Sequence, residues 1–588
     1  MVALLEKEQI TPLLPKPLPR RGILLGGASA IALAACGPRQ EATGGTGTAP
    51  GGTSGQAGQT GQGTQQATGP LAEKQTLFLN MGSEPDTVDP QKASFVGEIS
   101  VIMRVFSNLL TFNDKGELVP EMAEKMPTVS PDGKTMTFTI KSGLKYSDGK
   151  PLTAKDFEYG WKRHLDPRTK GEYAFTGYAI EGAEEFNESK ATDDATLNGL
   201  RDKLGVKATD DRTLQFKLKT AAPWFMSVLA TWCGVPSRQD LVEKGGEKWT
   251  EPATYIGNGP YKLATWNHQD RMVFEANPNY HKGAPPVKNV DVAMISEPAV
   301  SFAAYKNGEL DVTSVQAEDM PAVNGDAQLK QQYQRYPGSC SYYVGFNNKL
   351  APFDKTPVRK AFAAAFNRQS FVENVLGGIG LPAEQFLPPK FPGYYEDLKG
   401  QKFDAAAAKK LLADGGFADA KGFPSTKFTY SSNARNKVRV EALVNQIQQN
   451  LGVTLQADPV ESRAFTALTK NQDTTPPIYL LGWCQDYPDP QDWYSTVFHS
   501  RASVSHTGWK NAEFDKLVEQ ADVEQDKKKR DDLYKKAAQI LIDDAPVAFL
   551  YYGVVSRLVK PHVQGLPQNP LDYFEGQSNL FNIKILKH

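Results

Sequence analysis

The sequence predicts mixed α/β or α+β folding units, two or three in number, and three observations carry that expectation. The chain has 588 residues, more than a single hydrophobic core holds. Thr135-Met136-Thr137-Phe138-Thr139-Ile140 alternates polar and apolar side chains, the two-residue period of a half-buried strand. Phe514, Leu517, Val518 and Ala521 instead recur at helical spacing. Strands and helices are mixed without a clear repeat, as in α/β or α+β lobes.

From the N-terminus, the first element is a processing segment rather than part of the fold. Lys16, Arg20 and Arg21 precede an apolar run of 14 residues, Gly22 to Ala35, shorter than the ~20 residues of a membrane-spanning helix. The run ends in Leu33-Ala34-Ala35-Cys36-Gly37. A branched apolar residue, two small residues and Cys resemble a bacterial lipobox, which implies lipidation of Cys36 and removal of residues 1–35. The plainer alternative is a signal peptide with an incidental Cys. Arg20-Arg21 also matches part of the twin-arginine export pattern. Residues 37–70 are mostly Gly, Thr, Gln, Ala and Ser with almost no large apolar side chain. They cannot bury enough surface to order themselves and are expected to form a flexible tether, with a root-mean-square span of about 30–35 Å.

Folded structure is expected from Leu71. Gln75 to Asn80 reads as a buried strand. Ser130-Pro131-Asp132-Gly133-Lys134 is a turn signal leading into the alternating strand that places Met136, Phe138 and Ile140 on one face. Thr356 reads as a helix N-cap with Pro357 at the first helical position. A short apolar strand from Pro477 to Leu481 ends in Gly482-Trp483-Cys484-Gln485-Asp486, and Pro488 and Pro490 set the next turn. Asn511 caps the helix containing Phe514, and Leu533, Ala537, Ile540 and Leu541 repeat the helical pattern. Lys527 to Arg530 reads as a solvated helix face, and Pro546 to Tyr552 as a near-continuous apolar strand.

Charge and motifs narrow the function. With 66 basic and 67 acidic residues and a net charge of −1, nothing favours nucleic acid as a partner. The sequence has no phosphate-binding glycine loop, no HExxH and no CxxC, and its seven His are scattered. Asp486 and Asp489 could be imagined as paired carboxylates for hydrolysis, but acids flanking a Pro-rich turn are more often turn formers. The reading is of a protein without catalysis, cofactor or metal.

The stretch LGWCQDYPDP (481–490), with Cys340 in SCSYYVGFNNKLAPF, resembles the cleft strand of bacterial periplasmic oligopeptide-binding proteins, receptors of ABC importers in the peptide and nickel binding-protein family. Further matches occur in the same order along roughly 71–588: Leu118-Val119-Pro120, Ala123-Glu124, Asp132-Gly133-Lys134, Ser147-Asp148-Gly149, Asn258-Gly259-Pro260-Tyr261, Asn277-Pro278, Phe353-Asp354 and Pro357-Val358-Arg359. The resemblance implies a two-lobed periplasmic binding protein fold, type II-like with an extra inserted domain and a ligand cleft between the lobes. The first lobe would combine 71–106, 231–339 and 557–588, with an inserted subdomain at 107–230; the second would be 340–556. Crossovers near 339–340 and 556–557 would form the hinge.

The same resemblance implies that Asp486 holds the ligand's α-ammonium, that the peptide lies between Ser94-Phe95-Val96 and Gly482-Trp483-Cys484, and that Tyr173 and Trp483 line the walls. It also pairs Cys340 with Cys484, leaving Cys233 as a buried free thiol. The ligand would be an oligopeptide and the partners ABC permease subunits, with the protein acting as a lipid-anchored monomer outside the cytoplasm. A dipeptide, murein peptide, opine or nickel complex is the alternative solute, and a peptide sensor without transport the alternative role. One departure concerns the ligand's carboxylate: Leu480 stands where related receptors place an Arg, and Lys470 aligns with a second basic residue only across a loop of different length.

Overall fold

The computed structural model describes residues 69–588 apart from 114, 471–472, 502–503, 505–506 and 569–578. The expected leader with Cys36, and the expected tether as far as residue 68, lie outside the described residues. No helix among the described residues is long and apolar enough to cross a membrane.

Three sheets organise the chain. In the first, Thr76–Asn80 runs parallel to Asn289–Ala293, followed in order by the antiparallel Arg271–Ala276 and Tyr261–Asn267. Its core includes Leu77, Leu79, Val105, Trp232, Phe274 and Val290. The expectation of a buried strand at 75–80 needs correction. Thr76–Asn80 is an edge strand, Leu77 and Leu79 face inward, and Phe78 is 38% exposed. Asp311 covers that edge, donating its N–H to the Phe78 carbonyl and accepting the Phe78 N–H on its carboxylate.

A second, antiparallel sheet of Thr128–Val129, Thr135–Thr139, Thr213–Lys217 and Val206–Ala208 carries a separate core. Met136, Phe138 and Ile140 point into it together with Trp161, Phe216 and Phe225. Gly133, with φ +71°, makes the turn before this strand, in the left-handed region that favours glycine.

The largest sheet orders Val312–Ser314, Val547–Val559, Tyr333–Phe346, Ile478–Cys484, Thr426–Ser431 and Leu455–Val460. Its two long strands pair antiparallel from Tyr333 opposite Leu558 to Gly345 opposite Val547, with irregularities between Pro337 and Ser341 and between Tyr342 and Tyr343. Ile478–Cys484 lies in the interior of this sheet. Ile478 and Leu480 enter one core with Phe428 and Val440, while Tyr479 enters the opposite core with Phe386 and Phe549. Burial on both faces explains the unbroken apolar run at 477–481.

Helices pack on both sides of this sheet. Asn511 accepts the N–H groups of Glu513 and Phe514 and caps Ala512–Val523, whose Phe514, Val518 and Ala521 are buried. Thr356 is not a cap. It is the first residue of Thr356–Ala365, and its hydroxyl donates to Asp544. The face at 527–530 is solvated only in part: Lys527, Lys528 and Lys529 are exposed, whereas Arg530 turns inward and grips both oxygens of Asp489 at 2.7 and 2.9 Å.

Candidate functional site

The end of the strand Ile478–Cys484 is pinned on one side. Cys340 and Cys484 stand directly opposite in antiparallel register and form a disulfide, with Cα atoms 4.0 Å apart. Gly482 faces Tyr342 in the same ladder, and a Cβ there would lie 2.8 Å from the Tyr342 ring. The chain then turns into the short helix Pro490–Trp493, with Pro490 in its first turn and Asp489 accepting the Gln491 N–H as its cap. The Arg530 pair and this cap together account for Asp489, which is a structural carboxylate.

Asp486 sits at the turn between these two pinned elements and is 8% exposed. Its backbone N–H donates to Asp492 Oδ2 at 3.1 Å. Oδ1 accepts a long hydrogen bond from the Tyr173 hydroxyl at 3.5 Å, and Oδ2 is buried without a hydrogen-bond partner. Burial raises the Asp486 carboxyl well above the usual aspartate range, and the Tyr173 hydroxyl offsets this only in part. None of the ion pairs among the described residues includes Asp486. It is a buried acid that no cation among the described residues meets.

Side chains from three stretches of sequence pack around Asp486. Tyr173 packs its ring against Phe175 and Trp232, at 5.1 and 5.2 Å between centroids. Cys233 is a free, buried thiol; burial pushes it up to about 12, with the Thr231 and Thr176 hydroxyls opposing and Asp486 adding to the rise. Trp483, partly buried, packs its ring beside the core containing Tyr479 and Trp493. Tyr487 stacks on Trp224 at 6.4 Å with planes 12° apart.

Ser94-Phe95-Val96 adopts a specific local form. Val96 opens the helix Val96–Val105, and Glu98 accepts the N–H groups of both Ser94 and Phe95 at 2.8 and 3.0 Å. Those two donors are therefore already in use. Phe95 and Val96 nevertheless stand out, 54% and 42% exposed, which is unusual for large apolar side chains beside a buried core. Ser94 Oγ also donates to Glu172 at 2.8 Å, and Glu172 pairs with Lys470 at 2.5 Å. The structure thus links Ser94 and Lys470 through Glu172, whose neighbour Tyr173 reaches Asp486.

Residues 117–505 match the family described as bacterial extracellular solute-binding proteins, family 5 Middle. The oligopeptide-binding protein OppA of Bacillus subtilis (strain 168) is 33% identical over 509 residues, covering 84% of this chain and 90% of that protein. The chain belongs to family 5 of the bacterial extracellular solute-binding proteins. Among solved structures, the Escherichia coli murein tripeptide binding protein MppA aligns with TM-score 0.77 and 30% identity, over 88% of this chain and all of that one. Haemophilus influenzae OppA, solved in complex with RPPGFSPFR, aligns with TM-score 0.75 and 28% identity over the same shares. The architecture is accordingly the two-lobed α/β fold of periplasmic binding proteins, with an inserted domain and a cleft between the lobes.

Within this family 5 protein, sequence reading passed over two features of the site. Asp492 is fully buried, and only its spacing of six residues from Asp486 hinted at a connection. Glu172 was passed over in favour of its neighbour Tyr173, although it is Glu172 that takes up Lys470.

Proposed function

We propose that this protein is a receptor for extended oligopeptides, held by the α-ammonium at Asp486 and passed to an ABC importer. The observation that carries the reading is the buried Asp486 carboxyl, which has no cation among the described residues and an unpartnered oxygen. An acid in that state is costly when ionised and favourable once an ammonium arrives, through a charge-assisted bond in a cleft shielded from bulk water. Trp483 and Tyr173 line the walls. The segments Ser94-Phe95-Val96 and Gly482-Trp483-Cys484 flank the peptide main chain, which such receptors grip because every peptide shares it. The similarity to OppA of Bacillus subtilis supports this choice of solute. The similarity to a murein tripeptide binding protein favours a short murein peptide as the second reading.

The first lobe in this reading is 71–106 with 231–339 and 557–588, carrying 107–230 as its inserted subdomain; the second is 340–556. The irregular pairing between Pro337 and Ser341 supports a hinge at that crossover. The receptor works as a monomer anchored through lipidated Cys36 on the outer side of the cell membrane, with 37–70 as tether. Mass spectrometry of molecules released from the purified protein tests the solute: a mixture of peptides with free amino termini is expected. A single non-peptide compound would overturn the reading, and a muropeptide would select the second. Cys36→Ser should move the protein from the membrane to the soluble fraction, and retention on the membrane would exclude the lipid anchor.

A further inference from the structure

We propose that Asp486 and Asp492 work as a proton-holding pair, so that capture of a ligand ammonium expels one proton to solvent while Asp492 stays a neutral carboxylic acid. The inference rests on the ammonium-binding reading above and adds the protonation state, together with a positioning residue.

The geometry is that of two carboxyl groups sharing one dry turn. Asp492 is 0% exposed, and its Oδ2 accepts the backbone N–H of Asp486 at 3.1 Å. One oxygen of each group, Asp486 Oδ2 and Asp492 Oδ1, is buried without a hydrogen-bond partner. Among the described residues, the polar groups facing the pair supply no positive charge. They are the Tyr173 hydroxyl and the Cys233 thiol from the first half of the chain, the Trp483 indole from the strand, and Tyr487 and Asp489 from the turn itself. Asp489 is taken up by Arg530, which contacts it at 2.7 Å. No ion pair among the described residues includes Asp492.

Two carboxylates in such surroundings cannot both ionise, because each is desolvated and each repels the other's charge. Burial raises Asp492 strongly and the neighbouring Asp486 raises it further, while the Asp486 N–H that it accepts offsets only part of the rise. Asp486 is raised as well, by burial, and it is the group with the cleft-side hydroxyl partner that favours its anion. The proton should therefore leave Asp486 first. When an ammonium enters, the Asp486 O–H bond breaks, its proton goes to solvent, and the carboxylate accepts N–H donors of the ligand. No bond to the ligand becomes covalent. Asp492 keeps its proton, holds the Asp486 backbone in place and prevents a second negative charge from accumulating.

The test is calorimetry of the full chain with tri-, tetra- and penta-alanine and their N-acetylated forms, at pH 6.5 in phosphate and in imidazole buffer. The observed enthalpy should differ between buffers by the amount that corresponds to release of about one proton. Affinity should rise with pH by up to about tenfold per unit below neutrality, the linkage expected for one proton. Asp486→Asn should abolish the buffer dependence. Asp492→Asn, which retains an acceptor for the Asp486 N–H, should lower affinity by less than about tenfold and keep the release. Binding of free peptides without buffer dependence would overturn the coupling and leave the ammonium-binding reading standing. So would an Asp492→Asn variant as impaired as Asp486→Asn, since that would make Asp492 a working charge. Equal binding of free and acetylated peptides, or no binding at all, would overturn the parent reading as well. The buffer comparison on the natural protein decides the matter even if a variant fails to fold.

Discussion

Truncating Asp486 to Ala isolates the interaction on which ligand capture is expected to turn. A carboxylate and an ammonium in hydrogen-bond contact at ~2.8 Å attract by about 6 kcal/mol at an effective dielectric of ~20. Two costs reduce this figure: the ligand's ammonium loses its water, and the buried Asp486 carboxyl must first ionise from a state that burial favours as neutral. Truncating one partner of such a pair typically costs 2–5 kcal/mol. At ~1.4 kcal/mol per decade this is a loss of affinity of roughly thirty- to several-thousand-fold. The loss should be uniform across peptides of different sequence, because Asp486 would contact only what all of them share. N-acetylated peptides should bind the natural protein poorly and lose little more in the variant. Folding should not be the cause of the loss. A carboxyl whose folded-state pKa is raised contributes stability below its ordinary value and loses it as pH rises through the raised one, so the Ala variant should be no less stable than the natural protein at pH 8. Calorimetry with free and acetylated peptides, beside denaturant unfolding, reads both quantities. Equal binding of free and acetylated peptides would refute the assignment.

Four further outcomes follow from the same geometry. Replacing Cys340 and Cys484 by Ser opens a loop of 144 residues and should cost at most ~5 kcal/mol of stability, with affinity changed much less; equal losses in both would mean that the bond shapes the cleft. Cys233 should resist iodoacetamide in the native state, since its thiol is buried and pushed up to about 12, and rapid labelling would contradict that burial. Glu121→Gln should destabilise by about 3 kcal/mol at pH 7. The sign follows from the depressed carboxyl, near 2: its contribution is present above the ordinary glutamate value and is lost as pH falls toward 2, so the natural protein and the variant should converge in denaturant midpoint on acidification. Lys470→Ala should change affinity by less than about tenfold, because Lys470 and Glu172 are each about half exposed and such pairs contribute little; a larger loss confined to peptides with a free carboxylate would assign Lys470 to the ligand's C-terminus.

The local elements were legible where one period or one cap decided them. Met136, Phe138 and Ile140 alternate because their strand has one buried face, and Asn511 caps its helix through contacts two and three residues away. Thr356 misled because its hydroxyl has a better partner, Asp544, supplied by the end of another helix 188 residues later. Arg530 misled for the same reason: in a run of four cations its neighbours are solvated, and only the fold brings Asp489 beneath it.

Buried charge clusters were the least legible feature of all. Glu121 is 1% exposed, and it receives the Tyr280 hydroxyl at 2.5 Å, His281 at 3.0 Å and Lys282 at 2.5 Å. The partners lie about 160 residues away, and nothing in the local pattern of either segment announces the other. Burial alone would raise this carboxyl, and the three donors more than reverse it. Asp486 presents the opposite case. Burial raises it in the same way, but no cation arrives from elsewhere among the described residues, so the imbalance persists. Residue type and spacing cannot tell these two acids apart. What separates them is the charge on the facing elements: three donors meet Glu121, whereas no cation among the described residues meets Asp486, as the proposed ammonium site requires.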